Sequence, residues 1–179
     1  QKYKLISKIC TFMNQLTFMK KFILVCSLAS FVISNSQSDL PNVNLKTLTG
    51  KSTSIKKIAQ KNELIIISLW ATWCVPCKNE LDAVAEVYDE WVSETDVVYY
   101  AVSIDDSRTS KRIKPMVNGK DWEFEILLDE NSDLKRAFGV STVPYTTIIK
   151  NGRVVYKHTG YTPGYEDELY NQLLKFSNQ

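Results

Sequence analysis

The sequence predicts an α/β domain: a central mixed, mainly parallel sheet with helices on both faces and antiparallel hairpins at its edges. Three observations carry this. Leu64 to Trp70 is an unbroken apolar run of strand length, as expected for a strand covered on both sides. Strand-like and helix-like patterns then alternate through residues 64–138. Asn151-Gly152, between two apolar runs, is a strong hairpin signal near the C-terminus.

The elements follow in order. Val43 to Lys46 and Ser52 to Ile55 flank Thr49-Gly50-Lys51 and predict a small N-terminal hairpin. After the strand 64–70, Leu81, Val84, Ala85, Tyr88, Trp91 and Val92 recur at helical spacing, which predicts an amphipathic helix over 79–92. Residues 97–104 read as a strand. Residues 107–118 are basic, with Ile113, Met116 and Val117 on one side, and predict a surface helix ended by Gly119. Residues 124–128 give a short strand, and 131–138 a short helix stopped by Gly139. Residues 145–149 and 153–156 form the hairpin arms. Tyr165, Leu169, Leu173 and Phe176 give a closing helix. The expected order is ββ-βα-βα-βα-ββ-α.

The N-terminal segment reads as an address. The first 36 of the 179 residues carry five lysines and no acid. Met19-Lys20-Lys21 precedes the apolar run Phe22 to Ile33, followed by Ser34-Asn35-Ser36-Gln37-Ser38. Charge, apolar length and small residues are the three parts of a secretory signal peptide. Translation is expected to start at Met19 and cleavage to fall near Ser36, with residues 1–18 upstream of the fold. An uncleaved anchor is the alternative, although the run falls short of the about 20 residues a spanning helix needs. Residues 37–42 are read as a tether and 43–179 as the domain. The chain from residue 37 onward carries 17 basic and 20 acidic residues, so its net charge is slightly negative. That balance argues against nucleic acid as a partner. Of the four cysteines, Cys10 and Cys26 fall in the address segment, leaving Cys74 and Cys77 in an exported, oxidising setting.

Cys74-Val75-Pro76-Cys77 sits where the buried strand hands over to the helix. A helix N-terminus concentrates unpaired N–H groups and the positive end of the helix dipole, which stabilise a thiolate. Pro76 is tolerated in the first turn, where its missing N–H costs nothing. The spacing brings Cys77 one turn along, within reach of Cys74. A disulfide closing so short a loop constrains little chain entropy, so chemistry outweighs stapling as its purpose. A zinc site would need about four ligands, and the only histidine, His158, reads as an ordinary surface residue.

Trp70-Ala71-Thr72-Trp73-Cys74-Val75-Pro76-Cys77 resembles the active-site segment of the thioredoxin superfamily. Val143-Pro144 before a strand resembles its cis-proline loop. The longer stretch between Ile104 and Val143, the leader, and Glu80 three residues after Cys77 resemble the TlpA/ResA-like extracytoplasmic thiol–disulfide reductases. The resemblance implies a thioredoxin-like fold with a βα insertion before the cis-proline. It implies catalysis by Cys74 and Cys77, with Glu80 taking the proton that Cys77 must lose. It places Trp73, Val75, Pro76, Val143 and Pro144 against the client, with Trp73 shielding the disulfide and Trp70 in the core. No cofactor beyond the Cys74–Cys77 disulfide is implied. The implied partners are disulfide-containing client proteins, apocytochrome c among them, and a membrane thiol donor upstream.

Two departures stand out. Ser68 replaces the buried aspartate that thioredoxin keeps behind its disulfide, and Asp82 replaces a helix-kinking proline. Without a cation between the cysteines, the pair is expected to be reducing. Competing expectations are a copper or haem-apoprotein chaperone binding through its thiols, a peroxiredoxin-like redoxin, and a redox-inert adaptor. A peroxiredoxin needs a Pro-x-x-x-Thr/Ser-x-x-Cys frame that the residues before Cys74 do not supply.

Overall fold

The structure is a computed structural model and describes residues 40–178. The address segment, its start at Met19 and its cut near Ser36 lie outside the described residues. The described residues form one compact unit. Its elements are β1 (Asn44–Thr47), β2 (Ser52–Ser54), α1 (Ile55–Lys61), β3 (Leu64–Trp70), α2 (Val75–Thr95), β4 (Val98–Ser103), a 3₁₀ turn (Ser110–Arg112), α3 (Ile113–Asn118), β5 (Glu125–Leu128), α4 (Asp133–Ala137), β6 (Tyr145–Lys150), β7 (Arg153–Thr159) and α5 (Tyr165–Ser177).

The seven strands form one sheet in the order β2-β1-β5-β4-β3-β6-β7. Every residue of β3 is buried, so the sheet is covered on both faces there, as its continuous apolar run requires. Around it lie the buried Trp91, Tyr99, Leu81 and Leu127. Asn151 and Gly152 both take positive φ, at 50° and 74°, as a two-residue turn matched to strand twist demands.

Three expectations change. The sheet is mixed but not mainly parallel: only β3–β4 and β4–β5 pair parallel, while β1–β2, β1–β5, β3–β6 and β6–β7 are antiparallel. The connections decide this. The 21-residue α2 carries the chain back along the sheet between β3 and β4, and residues 104–124, with the 3₁₀ turn and α3, do the same between β4 and β5. Residues 129–144 hold only the five-residue α4 and re-enter the sheet at the end where β5 leaves it, so β6 runs against β3.

The second change is α1. Ser54 does not continue a strand into Ile55; its hydroxyl accepts the Lys57 N–H at 3.3 Å and caps a helix that buries Ile55 and Ile58. The third concerns the tether. Leu40 is buried in the core and Pro41 is half-buried, so the packed domain begins at least three residues before Val43.

Candidate active site

The sheet register brings the site together. Leu69 near the end of β3 pairs with Tyr145 at the start of β6, so the loop after Trp70 and the Val143–Pro144 bond meet at one end of the sheet. The Val143–Pro144 peptide bond is cis, and the Val143 carbonyl oxygen lies 3.9 Å from Cys74 Sγ. A turn closed by the Cys74 N–H on the Ala71 carbonyl, at 3.0 Å, leads into α2.

Cys74 is the N-cap of that helix, and its sulfur accepts the Cys77 N–H at 3.3 Å. The two cysteines form a disulfide with Cα atoms 5.3 Å apart. Their environments differ. Cys77 is fully buried, whereas Cys74 keeps 6% of its surface exposed, so an incoming group can reach only Cys74. Around that opening Trp73 and Val75 are 56% and 59% exposed, and Pro76 is exposed as well. Trp73 leans on a cleft of about 450 Å³ whose walls include Asp106, Arg108, Ser132 and Lys135. Trp70 is buried, as expected, with its ring edge-on to Trp122.

Glu80 lies one turn beyond Cys77 on α2 and is almost completely buried. Its Oε1 accepts hydrogen bonds from the hydroxyls of Ser68 on β3, at 3.2 Å, and Thr146 on β6. Oε2 has no hydrogen-bond partner among the described residues. Burial pushes the Glu80 pKa up to about 7, against the smaller downward pull of the Thr146 and Ser68 hydroxyls. Burial also holds the Tyr99 phenol well above its ordinary value, and the nearby Glu80 charge raises it further. Ser68 thus belongs to the same cluster: where the resembling family has an aspartate, this chain has a hydroxyl that donates to Glu80.

Three contributors escaped the sequence reading. Asp105, buried just past β4, accepts the Thr72 N–H at 2.8 Å, the Thr72 hydroxyl at 2.6 Å and the Ser103 hydroxyl at 2.7 Å. It fixes the loop two residues before Cys74. Its signal was available: an acid directly after an apolar strand, at the strand end where α/β folds place their sites. Thr146 lies within a run read only as a strand. Asp129 accepts the Leu134 and Lys135 N–H groups at 3.0 and 3.1 Å and anchors α4.

Asp82, at the position of the missing kink, lies in an unbroken helix and accepts Lys120 Nζ and, at 3.0 Å, Trp122 Nε1. It ties the extra segment to α2. His158 is not a plain surface residue: it is half-buried and stacks on the Tyr165 ring with centroids 4.0 Å apart.

Residues 37–158 match the AhpC/TSA family. The chain is 29% identical over 116 residues to the thioredoxin-like protein YneN of Bacillus subtilis, covering 64% of this chain and 65% of that protein. It is 30% identical over 124 residues to the thiol-disulfide oxidoreductase ResA of Bacillus subtilis, covering 69% and 66%. The chain thus spans about two thirds of the length of these relatives. Among solved structures, a thioredoxin-like protein from Porphyromonas gingivalis is 43% identical with a TM-score of 0.70, over 80% of this chain and 95% of that one. StoA from Bacillus subtilis, 22% identical with a TM-score of 0.60 over 74% and 96%, shares the fold. With a cysteine pair at the head of α2 facing a cis-proline and a family match over most of its length, the chain belongs to the AhpC/TSA family and has a thioredoxin-like fold.

Proposed function

We propose that this protein is a thiol–disulfide oxidoreductase that reduces disulfides of client proteins outside the cytoplasm. The observation that carries the reading is the asymmetric cysteine pair, Cys74 open and Cys77 sealed, with a buried carboxyl one turn behind Cys77. In the dithiol form, the Cys77 N–H and the helix dipole stabilise a thiolate at Cys74. That thiolate attacks one client sulfur, the client S–S bond breaks, and the second client sulfur leaves as a thiolate. Glu80, with a pKa of about 7, accepts the Cys77 proton near neutrality. The Cys77 thiolate then attacks Cys74 Sγ and displaces the client's other sulfur, which takes up a proton. Two electrons pass to the client, and the protein is left as the disulfide seen here.

A dithiol donor must restore the pair. The leader-like N-terminal segment favours an exported protein, and the resemblance to ResA-like proteins favours a membrane thiol donor and clients such as apocytochrome c. Val75 and Pro76 bring no cation to the thiolate, which favours a reducing pair. A potential near the about −120 mV of a strong periplasmic oxidant would reverse that direction.

The direct test is a trap. Cys77→Ala leaves Cys74 able to attack but unable to be released. Expressed in cells, it should accumulate client adducts that a reductant dissolves and that Cys74→Ala/Cys77→Ala lacks. An empty trap in growing cells would sink the reductase reading.

A further inference from the structure

We propose that the cleft beside Trp73 selects clients that carry acidic residues next to their disulfide. The inference rests on the reductase reading and concerns the same site's specificity. The cleft is walled on one side by Trp73, the residue preceding the attacking cysteine, so it lies beside a peptide bonded to Cys74. Its walls hold an exposed indole, two hydroxyls, one acid and two cations: Trp73, Thr109, Ser132, Asp106, Arg108 and Lys135.

The charge balance decides which peptide fits. Nearby acids are already committed within the protein. Asp105 is buried on Thr72 and Ser103. Asp106 is held by the Arg108 guanidinium and by the N–H groups of Arg108 and Thr109. Asp129 caps α4, and Asp133 pairs with Arg136. The cations are not matched in the same way. The side chains of Lys135, Lys111, Arg112 and Lys114 form no ion pair or hydrogen bond among the described residues. Lys111 and Arg112 follow Thr109 in the 3₁₀ turn, within about 6 Å of rise along its axis. A chain that is slightly acidic from residue 37 onward therefore keeps an unpaired cation, Lys135, in the wall of this cleft, with Lys111 and Arg112 next along the chain from Thr109 of the same wall. An acidic side chain entering here gains Lys135 without displacing an existing partner, and Trp73 offers an apolar wall for the peptide backbone. Lysine or arginine in the client would meet unpaired like charge.

The test uses the pre-reduced full chain in single turnover against synthetic disulfide peptides that differ only in flanking residues: two aspartates, two serines or two lysines. Hydroxyethyl disulfide, small and neutral, serves as the reference. Electrons come from the Cys74/Cys77 dithiol, so each turnover yields one protein disulfide and one peptide dithiol. At low ionic strength the aspartate peptide should react about tenfold faster than the serine peptide, and the lysine peptide slower still. The spread should collapse between about 0.01 M and about 1 M ionic strength, as the screening length falls from about 30 Å to about 3 Å. Lys135→Glu, combined with Lys111→Glu and Arg112→Glu, should invert the order of the aspartate and lysine peptides, each rate being taken relative to that of hydroxyethyl disulfide with the same variant. Lys111 and Arg112 are exposed and Lys135 is half-buried, none forms a side-chain hydrogen bond or ion pair among the described residues, and Lys135→Gln should give an intermediate result. Equal rates for the three peptides would overturn the specificity proposal alone. Failure to reduce any of them, hydroxyethyl disulfide included, would overturn the reductase reading instead.

Discussion

Replacing Glu80 by glutamine tests the centre of the site with a number. In the folded protein the Glu80 pKa is about 7, against 4.5 for an unperturbed glutamate. The folded state thus holds a proton that the unfolded state releases between these two values. Stability must fall as pH rises through that window, because the native state binds more protons there. The 2.5-unit gap corresponds to about 3 kcal/mol of destabilisation, complete by pH 8 and absent below pH 4.5. Glu80→Gln cannot ionise, so it escapes this cost. Its amide group must occupy the side of Oε2, which has no partner, at about 1–3 kcal/mol that does not vary with pH. The assay is urea unfolding of the oxidised wild type and variant from pH 4.5 to pH 8. The stability difference, variant minus wild type, should move in the variant's favour by about 3 kcal/mol across that range. A difference constant with pH would refute the assignment of a raised pKa to Glu80. The same residue has a kinetic signature. Release of a mixed disulfide from Cys74 should accelerate with pH around a midpoint near 7 in the wild type. In Glu80→Gln it should be slower by about a hundredfold or more and lack that midpoint.

Two further outcomes check the surroundings. Asp105→Ala strips acceptors from the Thr72 N–H and from two hydroxyls, and should cost about 2–4 kcal/mol in urea unfolding; a loss under about 0.5 kcal/mol would show that the loop before Cys74 is held by other contacts. Leu40→Ala should cost about 2 kcal/mol if Leu40 belongs to the core; an unchanged denaturation midpoint would return residues 37–42 to the role of a tether.

The parts of the fold legible in the sequence are those set by local pattern. The run 64–70 is covered on both sides in the folded chain, and its bounds emerge as read. Asn151-Gly152 forms its turn, and Gly139, with φ at 67°, ends the short helix before it. Helix α1 was missed because it offers only Ile55 and Ile58 as apolar signal, directly after a Ser-Thr-Ser stretch that alternates like a strand. The antiparallel entry of β6 was missed because strand direction depends on how far the preceding connection travels, which periodicity does not encode.

The site divides along the same line. By itself the sequence determined the cysteine pair and its place, because a Cys-x-x-Cys at a strand-to-helix junction needs only neighbours along the chain: two sulfurs one turn apart at the positive end of a helix. The position of Glu80 three residues on was legible too, but not its chemistry. That depends on Ser68 and Thr146, which reach it from separate strands 12 and 66 residues away, and on the burial that raises its pKa. Likewise Asp105 reaches Thr72 across 33 residues, and the cis Val143–Pro144 bond reaches Cys74 across 69. Tertiary structure alone decided which cysteine is open, which carboxyl is sealed and what surrounds the open sulfur. Desolvation and hydrogen bonding act through space, and the register of β3 against β6 brings those distant residues to one end of the sheet.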